Sequence, residues 1–163
     1  MLYEILFRGW YESNVRYLIV GAVAINLHGI PRMTADLDLM VDLDEANLRR
    51  FVETILGLGY RPRVPVQPFE LLDSSMRREW QDTKSMVVFT WIHPARPYEE
   101  IDHFLENPIE FQAAFDRKKT LKVSDFTIPI DLISLKRVAG HEQDHADIGA
   151  LTQLLRLDEL GDR

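Results

Sequence analysis

The sequence predicts a mixed α/β (α+β) fold in a single domain. Short runs of β-branched and aromatic residues alternate with stretches at helical spacing, glycine and proline mark the changes, and the pattern turns helical after residue 131. The 163 residues suit one domain spanning 1–163, with a core over about 15–130 and C-terminal helices over about 131–158.

In chain order, residues 1–14 read as a helix or partial helix. Residues 17–21 form a short β-branched and aromatic run closed by Gly21, a buried-strand signal. Residues 22–27 are good helix formers, closed by His28-Gly29-Ile30-Pro31. Residues 36–41 alternate carboxylate and apolar side chains, the period of a strand with one polar face. Asp44 is placed to cap a helix over 45–58, whose Leu48, Phe51, Val52, Ile55 and Leu56 follow helical spacing. Three prolines in 61–68 make that stretch an extended loop or an edge strand. A helix is expected near 69–80, strands over 85–91 and 99–105, and a hairpin pairing 119–123 with 126–130.

Hydrophobic residues make up 46% and charged residues 28%, which suits a packed core and not a disordered chain. With 19 Lys plus Arg against 26 Asp plus Glu, the formal charge of -7 argues against a general nucleic-acid coat and leaves room for a local basic groove. There is no cysteine, so disulfides, thiolate metal sites and a cysteine nucleophile are excluded. Charge interrupts every apolar stretch well short of the ~20 residues that cross a bilayer. The first residues lack a basic segment with a cleavage site. The expectation is a soluble cytoplasmic protein with no membrane partner.

The most informative segment is Asp36-Leu-Asp38. Two aspartates two apart on a strand share a face and repel, and a hard divalent cation such as Mg²⁺ or Mn²⁺ relieves the repulsion. The plain alternative is an edge strand with a solvated acidic face. The surroundings favour chemistry. Gly21 stands where a strand hands over to a helix, so the N–H groups of Gly21 and Ala22 can approach a phosphate. Arg32 can pair with a phosphate through two nitrogens, and Thr34 follows it just before the aspartates.

Gly21-Ala-Val-Ala-Ile-Asn-Leu-His28-Gly29, followed by Arg32-Met-Thr34-Ala-Asp36-Leu-Asp38, resembles the signature of the nucleotidyltransferase superfamily, and within it small bacterial members related to AbiEii-type toxins. Lys136 and the later Asp144, Asp147 and Ile148 look like the terminal helices of the same group. The resemblance implies a mixed, mainly antiparallel sheet backed by helices. It also implies Mg²⁺-dependent transfer of a nucleoside monophosphate from an NTP to an acceptor hydroxyl on an RNA end, a protein or a small molecule. An antitoxin protein is an implied partner. Asp36, Asp38 and a third carboxylate would hold the metals. Asp102 is the best match for that third group, with Glu100 in reserve on the same face, and Lys136 would serve the phosphates. The chain departs from the pattern at Ala22, His141 and Gln143, where relatives often carry Gly or Ser, Arg and Lys. The rival reading is therefore a non-catalytic binding module on the same fold.

His141-Glu142-Gln143-Asp144-His145 spells the His-Glu-x-x-His string of a zinc hydrolase. A charge at Asp144 sits inside it, and later acids such as Asp147 are poorly spaced for a third ligand, so zinc chemistry is the remote alternative. The basic clusters Arg117, Lys118, Lys119, Lys122 and Arg77, Arg78 read chiefly as solvated faces. Trp10, Trp80 and Trp91 read as core, and Asp42 as the end of its strand.

Overall fold

The computed structural model describes residues 2–27 and 36–131. Within them a seven-stranded sheet has the order β3-β4-β5-β2-β1-β7-β6. The strands are β1 (Tyr17–Val20), β2 (Asp36–Val41), β3 (Arg61–Pro62), β4 (Val88–His93), β5 (Arg96–Phe104), β6 (Lys119–Val123) and β7 (Phe126–Ile130). Only the β1–β7 and β2–β5 pairings are parallel; the rest are antiparallel. The helices are α1 (Glu4–Glu12), α2 (Gly21–Leu27), α3 (Glu45–Gly57), α4 (Ser74–Lys84) and α5 (Phe111–Asp116). No helix among the described residues is long and apolar enough to cross a membrane.

Alternation along the strands gives the sheet two unlike faces. One is the main core, where Leu37, Leu39, Ile101, Phe89 and Trp91 meet Leu6, Phe7 and Trp10 of α1 and Leu48, Phe51, Val52 and Ile55 of α3. Trp10 stacks on Phe51 with ring centroids 5.1 Å apart. Trp10, Trp80 and Trp91 are all buried, as their sequence surroundings suggest. On the other face Leu18, Val20, Met40 and Phe104 form a smaller cluster with Phe111 and Ala114 of α5, which covers one end. The same face carries Asp36, Asp38, Thr90, Glu100 and Asp102.

Asp44 caps α3 as expected, accepting from the N–H of Ala46 and Asn47 at 3.1 and 3.3 Å. Asp42 follows β2 and pairs with Arg16 at 2.6 Å. The proline stretch yields the two-residue edge strand β3. Three expectations need correction. The helix near 69–80 is split, because Asp73 caps a fresh start: a 3₁₀ turn over Pro68–Leu72 precedes α4. Ser85 closes α4 in the left-handed conformation, which delays β4 to Val88. Helix α5, capped by Glu110, was unanticipated; six residues are too few for a periodic signal. The C-terminal helices expected over 131–158 fall, beyond Asp131, outside the described residues.

Candidate active site

Strand β2 lies fourth of the seven, between β5 and β1, so its aspartates do not belong to an edge strand. That removes the edge-strand part of the plain alternative for Asp-x-Asp. Leu37 and Leu39 are fully buried in the main core, which turns Asp36 and Asp38 to the opposite face. Asp36 is exposed and Asp38 half-buried.

The parallel pairing of β2 with β5 sets Asp38 beside Asp102 and Asp36 beside Glu100. All four carboxylates therefore share one face, in two adjacent rows. Asp102 also stands opposite Thr90 of β4, whose hydroxyl donates to Asp102 Oδ1 at 2.5 Å. That bond fixes the carboxylate plane and occupies one oxygen. Glu100 is engaged differently: its side chain pairs with Arg63, and its backbone accepts from and donates to the Tyr3 hydroxyl at 3.1 and 3.2 Å. Burial pushes the Tyr3 hydroxyl up to about 12; the Glu100 backbone bond opposes this, and the charges of Glu99, Asp36 and Glu100 add to it. Tyr3 is thus a neutral donor at the rim of a negatively charged face.

The third wall comes from the β1–α2 junction. Val20 is the register partner of Asp38, and Gly21 follows with φ +68. A Cβ on Gly21 would stand against Asp38 Oδ2 and 3.1 Å from Asp38 Cγ. Glycine is required there twice, for its left-handed backbone and for the carboxylate beside it. Ala22 follows within α2. Arg32, Thr34 and Lys136, assigned to phosphate from the sequence, lie outside the described residues, as does the 141–145 string.

Other charged residues have structural employment. Arg77 is buried and donates to Leu71 O at 2.6 Å, and burial holds its pKa below the usual value, so it is no nucleic-acid contact. Arg117 pairs with Asp131 at 3.3 Å, and Lys118 lies 4.0 Å over the Phe115 ring. Lys119 and Lys122 sit on β6, the sheet edge remote from Asp102. Sequence reasoning missed Thr90, Arg63 and Tyr3. Each meets the site through a long-range pairing that no local pattern signals.

The donor set is all carboxylate, as a hard divalent ion prefers, and Asp38 and Asp102 are immediate neighbours across a parallel pair. Among the described residues no three Asp, Glu or His side chains are already gathered into a metal cage. The residues fit Mg²⁺ or Mn²⁺ in kind and in face.

No protein-family model and no curated protein matches the chain. Solved structures do. A lincosamide antibiotic adenylyltransferase, LnuA, crystallised with lincomycin, superposes with a TM-score of 0.54 at 17% identity, covering 90% of this chain and 92% of that one. A Thermotoga maritima protein assigned as a nucleotidyltransferase, TM1012, gives 0.51 at 14% identity, over 99% and 94%. The chain has the nucleotidyltransferase fold. Both likenesses run through nearly the whole length of both partners.

Proposed function

We propose that the chain is a nucleotidyltransferase that moves a nucleoside monophosphate from an NTP to an acceptor hydroxyl, with Asp36, Asp38 and Asp102 as its reacting face. The observation that carries this reading is the register pairing of Asp38 with Asp102 in the centre of the sheet, beside the glycine turn that ends β1. Asp36, Asp38 and Asp102 would hold Mg²⁺ or Mn²⁺, which when bound neutralises phosphate charge and lowers the pKa of the acceptor hydroxyl. The acceptor oxygen attacks the α-phosphorus in line; the new P–O bond forms as pyrophosphate leaves. Asp102 would take the acceptor's proton, and the Thr90 hydroxyl on Oδ1 supports Oδ2 as the accepting oxygen. The N–H groups of Gly21 and Ala22, with Arg32, Thr34 and Lys136, are the proposed phosphate contacts. No covalent enzyme intermediate is needed.

The acceptor is an RNA end, a protein or a small molecule; the lincomycin bound to LnuA is an example of the last class. The toxin setting implied by the sequence resemblance adds an antitoxin protein as partner. The test is label transfer from each of the four α-labelled NTPs, with Mg²⁺ or Mn²⁺, into total RNA, total protein and small-molecule extracts. Asp38→Asn and Asp102→Asn should each lower transfer by at least about 10²–10³-fold while the protein still melts cooperatively. No transfer from the wild type, with no nucleotide binding by calorimetry, would leave a binding module on this fold.

A further inference from the structure

The face that carries the aspartates also carries a cation. The Arg63 N–H donates to Thr90 O at 2.9 Å, which extends the β3–β4 register of Arg61 with Ile92 and Pro62 with Trp91 by one residue. Arg63 therefore stands opposite Thr90, Thr90 opposite Asp102, and Asp102 beside Asp38. The four form one row across neighbouring strands. From that row the guanidinium reaches diagonally to the Glu100 carboxylate, next to Asp36 in the adjoining row.

As a stabilising device this pair is weak, because a half-open ion pair at a sheet edge contributes only ~0–1 kcal/mol. As a binding device it is well prepared. The Arg63 side chain is 52% exposed against 22% for Glu100, so the fork is held from one side and open on the other. Pro62 and Pro65 flank it and stiffen its backbone, which lowers the entropy lost when it takes a ligand. A planar guanidinium matches carboxylate and phosphate oxygens equally well in shape, and the more highly charged anion competes better.

We propose that Arg63 is a nucleotide-binding residue: it exchanges the Glu100 carboxylate for a phosphate of the bound NTP and of the pyrophosphate product. The inference rests on the nucleotidyltransferase reading above and extends it to a residue beside the edge strand β3. Glu100 then acts as the resting partner that parks the guanidinium over the face, and not as a metal carboxylate.

Inorganic pyrophosphate and α,β-methylene-ATP, each with Mn²⁺, are the probes, measured by calorimetry on the full chain. Arg63→Gln should weaken binding of both by about 10- to 100-fold, the span for losing hydrogen bonds to a charged group, and Arg63→Lys should recover part of it. Glu100→Gln should bind as tightly as the wild type or more tightly. In turnover, Arg63→Gln should raise KM for the NTP by more than it lowers kcat. Because Arg63 is half exposed, an unchanged melting temperature is expected and separates binding from folding. If Arg63→Gln binds like the wild type while Asp102→Asn still abolishes transfer, the Arg63 proposal falls and the reaction assignment stands. If Glu100→Gln loses binding as Arg63→Gln does, the exchange is wrong. A wild type that binds neither probe overturns both.

Discussion

Along β5, Glu100 and Asp102 stand on one face of the sheet and Ile101 and His103 on the other. Behind Ile101 and His103 the side chains close completely. His103 is fully buried, its ring centroid 5.1 Å from that of Phe51 and 5.6 Å from that of Phe89, with Nδ1 3.1 Å from Phe104 O. On the Asp102 side, polar groups stop short of closure and remain within reach of water. The same backbone thus carries packed apolar and aromatic contacts on one side and accessible charge on the other. Each kind of damage should therefore have its own place: changes behind the sheet should alter folding, and changes in front should alter the proposed chemistry.

The largest effect expected behind the sheet is from Phe51→Ala. Phe51 packs against Trp10, Trp91 and His103, and removing it should cost about 3–5 kcal/mol of stability, seen as an earlier urea midpoint. Transfer per folded molecule should hold at low temperature. Loss of transfer in fully folded Phe51→Ala would break the separation of the two faces.

His103 sharpens the same contrast through pH. Burial pushes its pKa down from 6.5 to about 4. Between these values the unfolded chain binds a proton that the native chain refuses, so stability is complete above pH 6.5 and falls as pH drops toward 4. The loss should reach up to about 3 kcal/mol. Urea titrations at pH 7.5, 6, 5 and 4.5 should show a slope that His103→Leu flattens. An equal slope in the variant would mean that His103 titrates normally.

The smallest effect concerns the front face. Thr90→Val keeps shape and removes the hydroxyl that orients Asp102, so turnover should fall by about 10- to 100-fold with stability changed by less than about 1 kcal/mol. Thr90→Ser, which keeps the hydroxyl, should restore turnover. Turnover unchanged in Thr90→Val would assign Thr90 to packing alone.

How much of this was legible in the sequence follows from the range of each interaction. The alternation of 36–41 and the Asp44 cap are local, and both read correctly. So did the pairing of carboxylate with carboxylate in kind, because strand period alone puts Asp36 and Asp38 together and Asp102 on the face of Glu100. Which strands lie side by side is not local. Thr90 meets Asp102 across 12 positions, Arg63 meets Glu100 across 37, and Tyr3 meets Glu100 across 97. The edge-strand alternative for β2 persisted for the same reason: a strand's own residues do not say how many neighbours it has. Within elements the failures were of competition. Asp73 and Ser85 each gave the backbone a local hydrogen bond or turn that outweighed the apolar spacing around it.

The strands at the two ends of the sheet bear on how the molecule behaves in a crowd. β3 is two residues long and contains Pro62, with Pro65 close behind, while β6 presents Lys119 and Lys122. A foreign strand laid along either border would meet missing donors on one side and ammonium groups on the other. The unpaired N–H and C=O groups of a sheet's two outermost strands invite fibre growth at high concentration, and the residues at these borders oppose it. The Arg63 that we propose for nucleotide binding stands beside one of them, so the short, proline-bound stretch of chain that presents it also blunts that border of the sheet.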